Sequence, residues 1–247
     1  MLWKDPLLSK LVKEIKKGKT VINTKTPYNH VELKFYPHSR KYILWLNGYM
    51  QFISGLPEKE YHYKLYAKPV ELYFSYYRRV PSRVLVLGGG DGLGLRELLS
   101  FPVRRIDIVD IDRELLELAK NNPILATMNK RAFHDKRVKT YPMDAWKFLK
   151  DTSAKYDLII IDFPDPTYDQ MEEDEFIKER VNPLYGCRFY SLALKHLKKG
   201  GLLSIQVSGS PIIYNRVKDC LKKLGVEKIG KERGINFEQY FLYGKKE

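Results

Sequence analysis

Asp162 and Asp165, separated by Phe163-Pro164, stand directly after Leu158-Ile159-Ile160-Ile161, the most strand-like run of the chain. From Asp162 to Arg180 there are eight acids against two bases, a local balance of −6 in a chain of formal charge +14, which leaves +20 elsewhere. Ligands of an open parallel sheet bind outside the carboxyl ends of its strands, so this stretch predicts a site for a cation. A second chemical segment is Gly88-Gly89-Gly90-Asp91-Gly92, between the strand-like Val84–Leu87 and a helix with Arg96-Glu97. Glycines let a backbone turn tightly and approach a ligand closely, so Gly88 and Gly90 are expected to cradle a nucleotide or nucleoside. Asp91 would face the charge of a pyrophosphate, and a cationic nucleoside avoids that clash.

Two further strand ends carry acids. The run Ile106–Val109 ends in Asp110-Ile111-Asp112, and an acid there can accept both hydrogens of a ribose diol. Asp110 is assigned that role, and Asp112 is expected to cap the following helix. Asp144-Ala145 follows Val138–Tyr141 and opens a helix with Trp146 and Phe148. There Asp144 can accept from an exocyclic adenine amine, or serve simply as an N-cap.

The strands and helices around these residues read as a Rossmann-like α/β domain with a small N-terminal β-meander domain. His30–Tyr36, Tyr42–Leu46 and Met50–Ile53 are rich in β-branched and aromatic residues, and Asn47-Gly48 is a hairpin turn. Glu58–Tyr77 reads as a helix. From Arg83 strands alternate with helices, which predicts a parallel sheet covered on both faces, and the tail after Tyr214 adds an antiparallel edge. Boundaries are expected at 1–78 for an N-terminal domain, opened by a basic amphipathic helix over Leu7–Ile15, and 79–247 for the catalytic domain.

Composition narrows the function class. Hydrophobic residues make up 44% and charged residues 30%, as in ordinary globular proteins. Without long apolar runs nothing spans a membrane, and residues 1–20 lack the apolar core of a secretory signal, so a cytoplasmic location is expected. Cys187 and Cys220 are expected to be reduced and structural. The basic excess is spread along the chain and reads as solvated surface rather than a nucleic-acid footprint.

Taken together, GGGDG with Arg96-Glu97, Asp110-Ile111-Asp112, Asp144-Ala145, Asp162–Pro166, Phe189-Tyr190 and Gln206 with Ser210-Pro211 resemble the aminopropyltransferases, the spermidine synthase family. Tyr28-Asn29, Leu46-Asn47-Gly48 with Gln51, and Tyr61-His62 fit the same resemblance, which covers about residues 28–211. The Asp-x-Pro-Asp-Pro form is most like a divergent branch. The resemblance implies transfer of a 3-aminopropyl group from decarboxylated S-adenosylmethionine, a co-substrate, to an amine such as putrescine, spermidine, agmatine or a longer polyamine. No cofactor or metal is implied. By similarity, Asn29, Gln51, His62, Asp91, Asp110, Asp144 and Ala145 hold the donor, with Asp91 facing its ammonium. Asp162 is the base, and Tyr61 and Asp165 orient the amine. Tyr185 and Phe189-Tyr190 are expected to pack the core, and Gln206 to support the sheet end. The family also implies a homodimer or homotetramer.

The resemblance has departures. Asn47 replaces a hairpin Asp, Tyr63 stands where an acid often follows Tyr-His, and the family's later Tyr-containing amine-contact segment has no evident counterpart. The acids from Asp169 to Glu179 read either as a solvated loop or as a lid attracting polyamines. A methyltransferase acting on RNA shares the sheet and glycine loop, but Asp91 would repel its donor's carboxylate. A non-enzymatic polyamine-binding protein is the third reading.

Overall fold

The structure, a computed structural model, describes residues 18–164, 182–207, 211–234 and 239–247. Two compact units divide the chain, Met1–Glu60 and Tyr61–Glu247. The division falls upstream of the expected 78/79 boundary. The cause lies in the helical stretch before Tyr77, whose Leu65, Tyr66, Val70 and Tyr73 are buried in the core of the second unit.

The first unit is a four-stranded antiparallel meander, β1 (Lys19–Lys25), β2 (His30–Tyr36), β3 (Lys41–Leu46) and β4 (Tyr49–Ile53), in sequential order. Alternation explains its one-sided core: in β2, Val31 and Leu33 are fully buried, while Glu32 and Lys34 pair on the other face. Asn47 and Gly48 both take positive φ, 52° and 81°, the backbone that a two-residue hairpin of this twist requires. The Asn47 side chain also holds the start of β2, accepting from His30 N–H at 2.7 Å and donating to Asn29 Oδ1 at 3.1 Å.

Between the meander and the second sheet run α1 (Leu56–His62), a π-helical turn (Tyr63–Ala67) and α2 (Lys68–Tyr77). The expected single helix is therefore interrupted by a widened turn, which propensity does not reveal.

The second unit holds β5 (Arg83–Gly88), α3 (Leu93–Leu98), β6 (Arg105–Asp110), α4 (Arg113–Asn121), α5 (Pro123–Met128), β7 (Val138–Pro142), α6 (Ala145–Asp151), β8 (Tyr156–Asp162), α7 (Cys187–His196), β9 (Leu197–Val207), α8 (Pro211–Lys223), β10 (Val226–Arg233) and β11 (Tyr240–Lys246). Its sheet order is β10-β11-β9-β8-β5-β6-β7. The strands from β9 to β7 are parallel, while β11 and β10 form the expected antiparallel edge. Leu158, Ile159, Ile160 and Ile161 are all fully buried because successive side chains enter opposite cores. Ile159 and Ile161 meet Phe148, Phe189 and Val217 on one face, whereas Leu158 and Ile160 meet Leu65, Leu95 and Leu116 on the other. Each such side chain contributes about 1.5–3 kcal/mol. Among the described residues no helix is long and apolar enough to cross a membrane.

One expectation is corrected. Cys187 and Cys220 are joined in a disulfide, with Cα atoms 5.5 Å apart. A separation of 33 residues gives no hint of proximity in sequence, and the packing of α7 beside α8 creates it. Residues 1–17, and with them the expected basic helix, lie outside the described residues.

Candidate active site

Chain order reverses its direction across the sheet at β5: β6 and β7 lie on one side, β8 and β9 on the other. Ligands of such sheets bind at this switch point, beyond the carboxyl ends of the strands. Here Gly88 is registered against Asp162, and Asp110 against Pro142. The two ends of the sheet treat their acids differently. In the lower part of the sheet, Asp107 is fully buried and bonds Arg83 at 2.8 Å and Arg105 at 2.9 Å, with Tyr156 OH also donating to it. Asp157 pairs with Lys198 at 2.9 Å. Such pairing is what a buried charge requires. At the upper end, neither Asp110 nor Asp162 forms an ion pair among the described residues; hydroxyls and backbone N–H groups are their partners. Two carboxylates held this way, by hydroxyls and N–H groups, suit a positive ligand.

Asp162, the last residue of β8, is held by two phenols. Tyr61 OH donates to Oδ1 and Tyr66 OH to Oδ2, each at 2.5 Å, the short range of a hydroxyl donating to an anionic oxygen. A carboxylate offers about four lone-pair sites, so the clamp fixes its plane and leaves each oxygen able to accept again. Beside it, Gly88 has φ of 85°, and a Cβ would overlap the main-chain carbonyl of Asp162. The first glycine of the run thus permits β5 and β8 to end side by side.

Asp110 closes the other side. Its Oδ1 accepts from Asp112 N–H at 2.9 Å, and Gly90 N–H also donates to it. Burial, with the charges of Asp112 and Asp91 adding, outweighs these donors and pushes its carboxyl up to about 7. Asp91 reaches the same region, because its charge also acts on Tyr66, and its Oδ1 accepts from Leu93 N–H at 2.9 Å. Asp112 caps α4 as expected, accepting from Leu115 N–H at 3.0 Å. Asp144 caps α6 through Oδ1 to Lys147 N–H at 2.9 Å, and Ala145 beside it is buried.

Comparison with known proteins adds to this geometry. Residues 60–228 match the family described as the spermine/spermidine synthase domain. This chain belongs to that family. It is 31% identical over 252 aligned positions to "Polyamine aminopropyltransferase 2" of Aquifex aeolicus, covering 93% of this chain and 47% of the relative. It is 33% identical to "Polyamine aminopropyltransferase" of Saccharolobus solfataricus, covering 83% and 65%. The chain thus spans about half to two thirds of the length of these curated relatives. Among solved structures, spermidine synthase from Thermotoga maritima superposes with a TM-score of 0.75 at 19% identity, covering 93% of this chain and 73% of that one. A spermidine synthase in complex with the transition state analogue AdoDATO gives 0.76 at 20% identity, covering 93% and 74%. At these identities the likeness concerns the fold, and this chain's mostly parallel sheet and small antiparallel sheet are those expected from sequence.

Within this family member, the structure gathers Tyr61, Gly88, Gly90, Asp91, Asp110 and Asp162 at one edge of the sheet. His62 is buried beside them, its ring 5.0 Å from Tyr61 and 5.9 Å from Tyr66 between centroids. Asn29 and Gln51 belong to the N-terminal unit, where Gln51 is exposed on β4. Asp165 and the acids from Asp169 to Glu179 lie outside the described residues. Tyr185, Phe189 and Tyr190 are buried as expected. Tyr185 OH lies within 3.3 Å of Phe163 O, Pro164 O and Gln206 Oε1, so this pair supports the backbone leaving Asp162. Tyr66 is the residue that sequence reasoning missed. Its signal, a second tyrosine five positions after Tyr61, is lost when the stretch is read as regular α-helix.

Proposed function

We propose that this chain is a polyamine aminopropyltransferase, moving a 3-aminopropyl group from decarboxylated S-adenosylmethionine to an amine and releasing 5′-methylthioadenosine. The observation that carries the reading is Asp162, clamped by two phenols at the sheet's switch point, with Asp110 at the end of β6. The names of the curated relatives and the analogue bound in the related spermidine synthase point the same way.

The acceptor resembles a Lys side chain, with a pKa of roughly 10.4, and is no nucleophile while protonated. Asp162 accepts one ammonium proton as the nitrogen attacks the carbon next to sulfur. A C–N bond forms, the C–S bond breaks, and its electron pair neutralises the sulfonium to a thioether. The leaving group carries its own activation, so the protein's task is to hold two cations in line against their repulsion. In this reading Tyr61 and Asp165 orient the amine, and Asp91 faces the donor's ammonium. Asp110 takes the ribose diol, and Asp144 with Ala145 takes the adenine edge. His62 completes the donor contacts on this unit, and Asn29 and Gln51 are assigned to the donor by the family resemblance alone. The acceptor is a diamine or longer polyamine of the putrescine, spermidine or agmatine type.

Donor choice tests this reading. Calorimetric titration should show decarboxylated S-adenosylmethionine binding at least about tenfold more tightly than S-adenosylmethionine, the effect of about 1.4 kcal/mol of carboxylate repulsion at an acidic edge. Tighter binding of S-adenosylmethionine would favour a methyltransferase instead.

A further inference from the structure

Tyr66 is fully buried, yet its hydroxyl reaches the acid that sits at the centre of the site. Three features of this chain put it there. The first is the widened turn over Tyr63–Ala67, closed by Lys68 N–H donating to Tyr63 O. In a regular α-helix, residues five apart point about 140° away from each other. The wider turn reduces that angle and lets Tyr61 and Tyr66 meet the same carboxylate. Such turns cluster at functional sites.

The second feature is how the turn is retained. Tyr243 OH donates to Lys64 O at 2.7 Å and Ser204 Oγ to Leu65 O at 2.8 Å. Both donors come from buried positions on β11 and β9, so the sheet itself satisfies carbonyls of the irregular turn. The third is steric. A Cβ on Gly94 would overlap the Tyr66 ring, and one on Gly89 would crowd its hydroxyl. The glycine loop and α3 are therefore shaped around this side chain.

We propose that Tyr66 is a positioning residue for the proposed base: it fixes Asp162 Oδ2 and ties that oxygen to the glycine loop, so that base and donor keep one separation. The role rests on the aminopropyl-transfer reading. Tyr66 transfers no proton. The proton leaving the amine goes to Asp162 and from there to solvent, while burial, followed by the charge of Asp162, raises the Tyr66 phenol well above its ordinary value and keeps it a donor.

Tyr66→Phe removes the hydroxyl and retains the ring against Gly94. With decarboxylated S-adenosylmethionine and an accepted amine, kcat should fall roughly 10- to 100-fold, the effect of one hydrogen bond to a charged group. KM for both substrates should stay within about twofold, and the melting temperature should hold. Unchanged kcat in an otherwise active enzyme overturns the role and leaves the aminopropyl-transfer reading standing. A kcat loss that appears only with lowered melting temperature and raised KM makes Tyr66 a packing residue and also overturns it. If the unmodified chain turns over no amine, the reading fails and this role fails with it.

Discussion

Asp110 places a partly buried carboxyl where the proposed ligand needs an anion. Its ordinary value is 3.8, and burial raises it to about 7 in the folded chain. The folded state therefore holds this proton more tightly than the unfolded state. The stability tied to it is fully present below the unfolded value and is lost as pH rises through about 7. Donor binding has the opposite preference, because a protonated Asp110 loses acceptor capacity for a ribose diol. KM for the donor should rise several-fold as pH falls from about 8 to about 6. Asp110→Asn should bind donor weakly and with a flat profile over that range. An identical pH dependence in the two proteins would remove Asp110 from the donor site. Asp110 and Asp162 were legible in sequence because each ends an apolar run, and the register of β5, β6 and β8 then brings such ends together.

At the level of elements, the disulfide joins the start of α7 to α8 across a 33-residue loop. Closing a loop of that length restricts the unfolded chain by roughly 3 to 4 kcal/mol in the chain-entropy treatment. Cys187 is exposed whereas Cys220 is buried, so Cys187→Ser cuts the link with little change in packing. Urea unfolding of this variant, or of the native chain in dithiothreitol, should show a stability loss of that size. Equal stabilities with and without reductant would mean that the link does not form. The pairing was hidden from sequence because two isolated cysteines have no spacing pattern, and the helix packing that joins them is a tertiary fact. The widened turn before α2 was hidden for a related reason. Its carbonyls are satisfied by Tyr243 and Ser204, residues more than a hundred positions away in sequence. By contrast, the hairpin at Asn47-Gly48 and the strands around it carry local signals, and they were readable.

Across the whole molecule, charge is distributed unevenly. A chain of formal charge +14 carries at its sheet's upper edge Asp110 and Asp162, which form no ion pair among the described residues, while the acids at the lower edge are paired. Paired acids below hold strands together, and in the proposed function Asp110 and Asp162 above face cationic substrates. Sequence alone exposed this asymmetry as a local run of negative charge, although the residues that complete it near Asp165 lie outside the described structure. In the proposed reaction Asp162 deprotonates an amine, which displaces methylthioadenosine from the sulfonium donor. The direct measurement is release of 5′-methylthioadenosine from decarboxylated S-adenosylmethionine, across a panel of diamines and longer polyamines, by the native chain and by Asp162→Asn. Amine-dependent release by the native chain and a rate lower by roughly 10² to 10⁴ in the variant are expected. No release with any amine, or equal rates in the two proteins, would contradict this reaction.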